Sequence, residues 1–252
     1  MARYKLTLEY DGAPFVGWQR QANGLSVQQA LEEAVFAACR EWVVTRAAGR
    51  TDAGVHASGQ VVHLDLARDW SPFRLGEALN ALLSPHPIAV LDVERVSENF
   101  DARTSARMRH YAYRIVNRRA PLALARARAW RVKRKLDVAA MRQGAECLIG
   151  RHDFSTFRDS QCQAASPIRT LDRFEVEQQG DEIEMRISAR SFLHRQVRSM
   201  VGSLEHVGAG KWSVADLQAA LEARDRARCG QVAPAHGLFL VRVDYDEGGE
   251  AK

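Results

Sequence analysis

Hydrophobic alternation begins almost at the first residue. Tyr4, Leu6, Leu8 and Tyr10 alternate with Lys5, Thr7 and Glu9, the period of two that a half-buried strand requires. From Ser26 the period changes. Val27, Ala30, Leu31, Ala34, Val35 and Ala38 fall on one helical face, and Ser26 with Gln29 makes a capping-box pattern at its start. Trp42 to Arg46 reads as a short strand, AAGRTDAGVHASG as a glycine-bearing loop, and Gln60 to Leu66 as a strand again. Ser71-Pro72 supplies a cap and a first-turn proline for a second helix carrying Phe73, Leu75, Ala78, Leu79 and Leu82. Ile88 to Val96 closes the set, and the order is β-α-β-β-α-β.

That order then repeats. His110 to Asn117 reads as a strand, and Asp137 caps a helix with Val138, Met141, Ala145 and Leu148 inward. Ile168 to Glu177 and Glu182 to Arg190 are two strands joined through Gln179-Gly180-Asp181. Ser191 opens a helix that turns Phe192, Val197, Met200, Val201 and Leu204 inward. A further helix starts at Ser213, and Leu238 to Tyr245 forms the last strand. The predicted fold is α+β: two ferredoxin-like (split β-α-β) halves, with antiparallel sheets side by side and an active-site cleft between them. They join near Ser97 to Ser105, which gives an N-terminal half of residues 1–105 and a C-terminal half of residues 106–252. The C-terminal DEGGEAK reads as a frayed tail.

Composition changes this picture little. A hydrophobic share of 46% and a charged share of 27% suit an ordinary globular core. There is no apolar run of about eighteen residues, and MARYKLTLEYDG enters strand pattern without a signal-peptide core. A cytoplasmic protein that does not enter the membrane is expected. Cys39, Cys147, Cys162 and Cys229 are far apart with no C-x-x-C pair, the pattern of free thiols and not of a metal site. His56 and His63 have no third ligand spaced to join them.

Charge says more by its distribution than by its net value of +5. Arginines crowd the stretch from Arg103 to Lys135, with aromatic and small apolar residues between them. Arginine makes bidentate phosphate contacts and stacks on bases, so the stretch suits a structured RNA. A solvated basic surface has the same composition. An anionic membrane suits it less, because no long amphipathic helix with a bulky apolar face is evident.

One loop could carry chemistry. Gly49-Arg50-Thr51-Asp52-Ala53-Gly54-Val55-His56 sets a carboxylate among small residues, between two glycines. Glycine allows unusual backbone and keeps side chains clear of a large ligand. An adjacent cation, here Arg50, favours the ionised form of a carboxylate, which a nucleophile or general base requires. A tight turn in which Asp52 caps backbone amides fits the same letters. Elsewhere, Tyr111 and Tyr113 share one strand face, so one can be buried while the other meets a ligand. Arg195 and Arg198 stand three apart on a helix, close together on its surface.

GRTDAGVHA resembles the catalytic loop of the tRNA pseudouridine synthase A family. YDGAPFVGWQRQ from Tyr10 to Gln21 is similar to that family too, as are FDAR from Phe100, RHYAYRI from Arg109 and DFSTFR from Asp153. So are Phe192 to Arg198 and GLFL from Gly237. The resemblance runs in order over essentially the whole chain. It implies a cofactor-free, metal-free isomerase that converts uridine to pseudouridine at positions 38, 39 and 40 of the tRNA anticodon arm, working as a homodimer. It implies Asp52 as the catalytic carboxylate, Tyr111 as the residue packed on the target base, Arg198 as a partner of the aspartate that helps displace the nucleotide, and Arg50 in RNA handling. The chain departs from the pattern at Gln196, where similar sequences often carry methionine. The carboxylate could attack C1′, add to the base or remove a ribose proton. A non-catalytic RNA-binding protein would need no aspartate framed in this way, and a hydrolase would want a second carboxylate, a histidine base or a metal set.

Overall fold

A computed structural model describes residues 1–246; the tail expectation for DEGGEAK falls almost wholly outside those residues. The chain is α+β, with mostly antiparallel strand pairing and five α-helices among the described residues. It divides into two compact units, residues 1–109 with the chain from Phe239 on, and His110–Leu238.

The first unit contains β1 (Ala2–Tyr10), α1 (Val27–Cys39), β2 (Arg46–Ala47), β3 (His56–Leu66), α2 (Pro72–Leu83) and β4 (Ile88–Val96). β1 runs antiparallel to β3, with Leu6 opposite Val62, and antiparallel to β4, with Tyr10 opposite Ile88. β2 pairs antiparallel with β3. The chain's last strand, β10 (Leu238–Asp244), lies parallel to β3, with Phe239 opposite His56 and Leu240 opposite Ala57. The alternation of β1 is realised as expected: Tyr4, Leu6, Leu8 and Tyr10 are buried. Ala30, Leu31, Ala34 and Val35 of α1 and Leu75, Leu79 and Leu83 of α2 are buried as well. Phe73 and Leu82, expected on the apolar face, are 76% and 42% exposed instead, because the buried stripe of α2 runs through Leu83.

Several boundaries differ from the sequence reading, each for a local reason. Ser26 Oγ accepts the Gln29 amide at 3.1 Å, but the Gln29 side chain turns to Glu33, so only half of the capping box forms. The expected strand at Trp42–Arg46 is reduced to Arg46–Ala47. β3 begins four residues before Gln60, because His56 and Ala57 find partners in β10 and Ala57 one in Tyr10. Ser71 precedes Pro72 as expected, yet its side chain makes no capping bond.

The second unit contains β5 (Met108–Asn117, from His110 on), β6 (Trp130–Val132), α3 (Val138–Glu146), β7 (Gly150–Asp153), β8 (Ile168–Gln179), β9 (Glu182–Ala189), α4 (Gln196–Gly208) and α5 (Val214–Ala223). Its strand order is β5-β9-β8-β7, with β6 parallel to β5. Asp137 caps α3 through the Ala140 amide, and Ser213 with Asp216 forms a full capping box on α5. The helix expected from Ser191 starts only at Gln196. Arg195, in the left-handed region at φ 57°, reverses the chain immediately before it. Gln196, the departure from the family pattern, has a role here: its Oε1 accepts the Leu193 amide at 2.8 Å and closes that turn.

Candidate active site

The Asp52 loop is tied to the first unit mainly through its backbone. Beyond β1, the chain from Asp11 to Trp18 runs alongside it. The Trp18 amide donates to Thr51 O at 3.0 Å, and Gly17 forms an isolated bridge with Asp52. The Gly12 amide donates to Nδ1 of buried His56 at 3.0 Å. This approach tolerates no side chain: a Cβ on Gly12 would lie 2.0 Å from Val55 O, and one on Gly17 2.8 Å from Thr51 O. Gly17 also sits at φ +111°, where other residues are strained. The Val55 amide bonds Asp52 O at 3.1 Å, closing a turn with Gly54 at φ +76° in third position. Main-chain atoms therefore close this turn.

Three side chains brace the loop from below. Tyr10 Oη lies 2.8 Å from Thr51 Oγ1, and Gln60 Nε2 donates to Gly49 O at 2.8 Å. Burial pushes the Tyr10 phenol up to about 12, with the bonds to Thr51 and Gln60 opposing the shift, so it remains a neutral hydroxyl. Arg109, itself buried, donates from Nη2 to Ala48 O at 2.8 Å and to Arg103 O at 2.6 Å. Asp52 is thus set on a loop whose residues on either side, Thr51 and Val55, are buried while Asp52 remains half-exposed. Arg50 is exposed and forms no ion pair among the described residues, so the adjacent cation expected beside Asp52 is not a salt-bridge partner.

Sequence reasoning did not single out Tyr10, Gly12, Gly17, Gln60 or Arg109. The signal for Tyr10, Gly12, Gly17 and Arg109 was present in the similarity of YDGAPFVGWQRQ and RHYAYRI to the family, and Gln60 lies outside those motifs. What that similarity encodes is a cradle for the loop.

In the second unit, the tyrosine pair on β5 separates as the shared face allowed. Tyr113 is fully buried, and its hydroxyl donates to Pro234 O at 2.8 Å. Burial drives its phenol well above the ordinary tyrosine value, against the field of Arg198. Tyr111 is half-buried and meets Phe192 edge to face, with ring centroids 5.1 Å apart. Arg198, in the first turn of α4, donates from Nε to Ala233 O at 2.8 Å, and the Ala233 amide returns a bond to Arg198 O at 3.0 Å. That exchange fixes the inner part of the guanidinium. Arg195 does not share the helix surface with it; as the residue before the helix it turns to Asp159, at 3.0 Å. His63 accepts the Ala102 amide at 3.0 Å and His56 that of Gly12, which gives both histidines structural work. No group of three metal-ligating side chains occurs among the described residues, and no helix among them is long and apolar enough to cross a membrane.

The first unit presents a carboxylate on a braced loop, and the second a strand-borne tyrosine and a helix-borne arginine. The chain matches the family described as tRNA pseudouridine synthase over residues 7–105 and 145–246 and belongs to it, as an isomerase acting on tRNA uridine. Its relatives include proteins named tRNA pseudouridine synthase A. That of Beijerinckia indica subsp. indica is 66% identical over 252 residues, 100% of this chain and 97% of the relative. That of Methylocella silvestris is 61% identical over 247 residues, covering 98% and 100%, and that of Brucella ovis 60% identical over 247 residues, covering 97% and 98%. The matched ranges hold the Asp52 loop, Tyr10, Gly12, Gly17, Gln60 and Arg198, while Arg109 falls between them. Tyr111 lies between them, within the span shared with the relatives. Membership sets aside the hydrolase and the purely RNA-binding alternatives.

Proposed function

We propose that this protein isomerises the uridines at positions 38, 39 and 40 of the tRNA anticodon arm, with Asp52 as its catalytic carboxylate. The observation that carries the assignment is the loop itself. The Trp18 amide holds Thr51 O in a bridge that sets Gly17 opposite Asp52, and the aspartate remains half-exposed, the condition for a reactive group that must be placed without being covered.

The reaction breaks the bond from uracil N1 to ribose C1′, rotates the base and joins C5 to C1′. The C5 proton leaves and N1 ends protonated, so atoms and electrons balance with no cofactor. Asp52 supplies the carboxylate that initiates cleavage. Tyr111 supplies a face against which the detached base is held, and Arg198 fills the space that the uridine leaves in its helix. Extrusion from a stem costs a few kcal/mol, which backbone contacts must supply. Arg50, exposed beside the loop, contacts the RNA backbone. On this reading the protein acts in the cytoplasm as a homodimer engaging one tRNA, and each half is a split β-α-β module. The first unit supports the last point, since its strands run β4-β1-β3 with β2 on the far side of β3.

Mapping pseudouridine in tRNA from cells lacking the protein tests site choice; its persistence at positions 38 to 40 would overturn the assignment. For the carboxylate, Asp52→Ala is expected to abolish tritium release from [5-³H]uridine-labelled tRNA, by at least about a thousandfold, while tRNA binding persists. Turnover within tenfold of wild type would remove Asp52 from the mechanism.

A further inference from the structure

The connection from β7 to β8 in the second unit, together with the start of β8, carries two arginines that pair with no acid among the described residues. Arg158 follows the DFSTF turn, and Arg169 is the second residue of β8, opposite His152 of β7. Both are half-buried. Each is clipped to carbonyls of the same loop: Arg158 Nη2 donates to Cys162 O at 2.6 Å, and Arg169 Nη1 to Ser166 O at 2.9 Å and Ile168 O at 2.7 Å. Carbonyls orient a guanidinium but leave its charge unmatched. Among the described residues neither arginine forms an ion pair.

The nearby acid is engaged elsewhere. Asp159 is held by Arg195 at 3.0 Å and His194 at 3.6 Å, and its Oδ1 accepts the Gln161 amide at 2.9 Å. Burial raises its carboxyl, and the Gln161 amide, Arg195, His194 and Arg226 together outweigh that effect. Arg169 is in the opposite position. Burial lowers its pKa and the neighbouring Arg158 adds to that, while Nε of Arg169 is buried without a hydrogen-bond partner. Arginine keeps its proton regardless, so Arg169 carries its charge within the field of Arg158.

We propose that Arg158 and Arg169 form a binding site for one phosphodiester group of an RNA backbone. Two guanidiniums held on one loop can each offer N–H donors to the non-bridging oxygens of a tetrahedral anion, and the anion removes their mutual repulsion. The choice of RNA over another source of phosphate rests on the function proposed above.

The test uses the full-length protein and unmodified tRNA, with Kd measured by fluorescence anisotropy across a salt series. Arg158→Gln and Arg169→Gln are each expected to make log Kd less steep in log salt by about one, and to weaken binding roughly tenfold near 0.1 M salt. Arg158→Lys keeps the charge and is expected to retain the wild-type slope, which a merely structural clip would not predict. Gln variants with an unchanged slope overturn the proposal. Should Arg169→Gln fail to fold, Arg158→Gln decides alone, since that side chain holds a single loop carbonyl. Inorganic phosphate supplies the other arm: if it raises the wild-type Tm but not the variants', while their tRNA slopes stay equal, the site takes free phosphate and the proposal fails. If the wild type neither binds nor isomerises tRNA, the functional assignment falls instead.

Discussion

The two units hold their candidate functional side chains by different means. In the first, Asp52 has no regular element beneath it. Its position comes from the Trp18 amide on Thr51 O, from the bridge that sets Gly17 opposite Asp52, from two glycines that let the backbones approach, and from Tyr10, Gln60 and Arg109 bracing the loop's entry. In the second, Tyr111 and Arg198 stand on β5 and α4, where Phe192 meets the tyrosine ring edge to face and Ala233 O accepts from Arg198 Nε. A short aspartate side chain has little reach, so the backbone must be placed for it. Tyrosine and arginine are long enough to reach outward from a rigid strand or helix.

The largest effect should follow from opening the loop's cradle. Gly12→Ala forces a Cβ into Val55 O and is expected to cost about 3 kcal/mol in urea unfolding, with a loss of isomerase activity to match. Wild-type stability for that variant would mean the loop is not held as described. The second unit should respond in the reverse way. Tyr111→Ala is expected to lower kcat/KM by about 10- to 100-fold, the worth of one base–aromatic stack, while leaving Tm nearly unchanged. Tyr111→Phe should keep most of that activity; if it is as damaged as the alanine variant, the hydroxyl and not the ring face is what the reaction uses.

A smaller comparison lies between two buried phenols. Tyr10→Phe removes the bonds to Thr51 and Gln60 and Tyr113→Phe the bond to Pro234 O, at about 1 kcal/mol of stability per bond. Only Tyr10→Phe should also depress kcat, because its partner Thr51 adjoins Asp52. Equal kcat in the two variants would remove Tyr10 from the positioning of the loop.

The smallest effect is shared. His63 in the first unit and His206 in the second both have pKa values lowered, chiefly by burial, with Arg3 and Arg46 adding for His63 and Lys211 for His206. A depressed folded-state value means stability present above the unfolded pKa of about 6.5 and lost as pH falls through the lower folded value. Unfolding midpoints should therefore drop modestly between pH 7.5 and 5.5. Midpoints that stay level would contradict the buried, neutral imidazoles.

Much of the architecture was legible because it depends on near neighbours. The alternation of β1, the stripe of α1 and the caps at Ser26, Asp137 and Ser213 are local patterns, and the chain follows them. Where the reading failed, a distant partner or a single torsion intervened. β6 and β7 are three and four residues long and exist because β5 and β8 offer them edges. Ser191 resembled a helix start, but the left-handed turn at Arg195 delays the helix to Gln196. Asp52 stood out by the glycines around it, whereas the residues that hold it were visible only as unexplained similarity.

From its sequence alone, this protein's family, the number of its candidate reactive carboxylate and the order of its main elements could be written down, since periodicity, caps and a long motif are properties of adjacent residues. Tertiary structure decided that β10 pairs with β3, that Tyr113 is buried and Tyr111 is not, and that Gly12 and Gly17 admit the backbone that carries Asp52. Those outcomes turn on which distant backbones come within hydrogen-bond reach, and no local pattern encodes that distance.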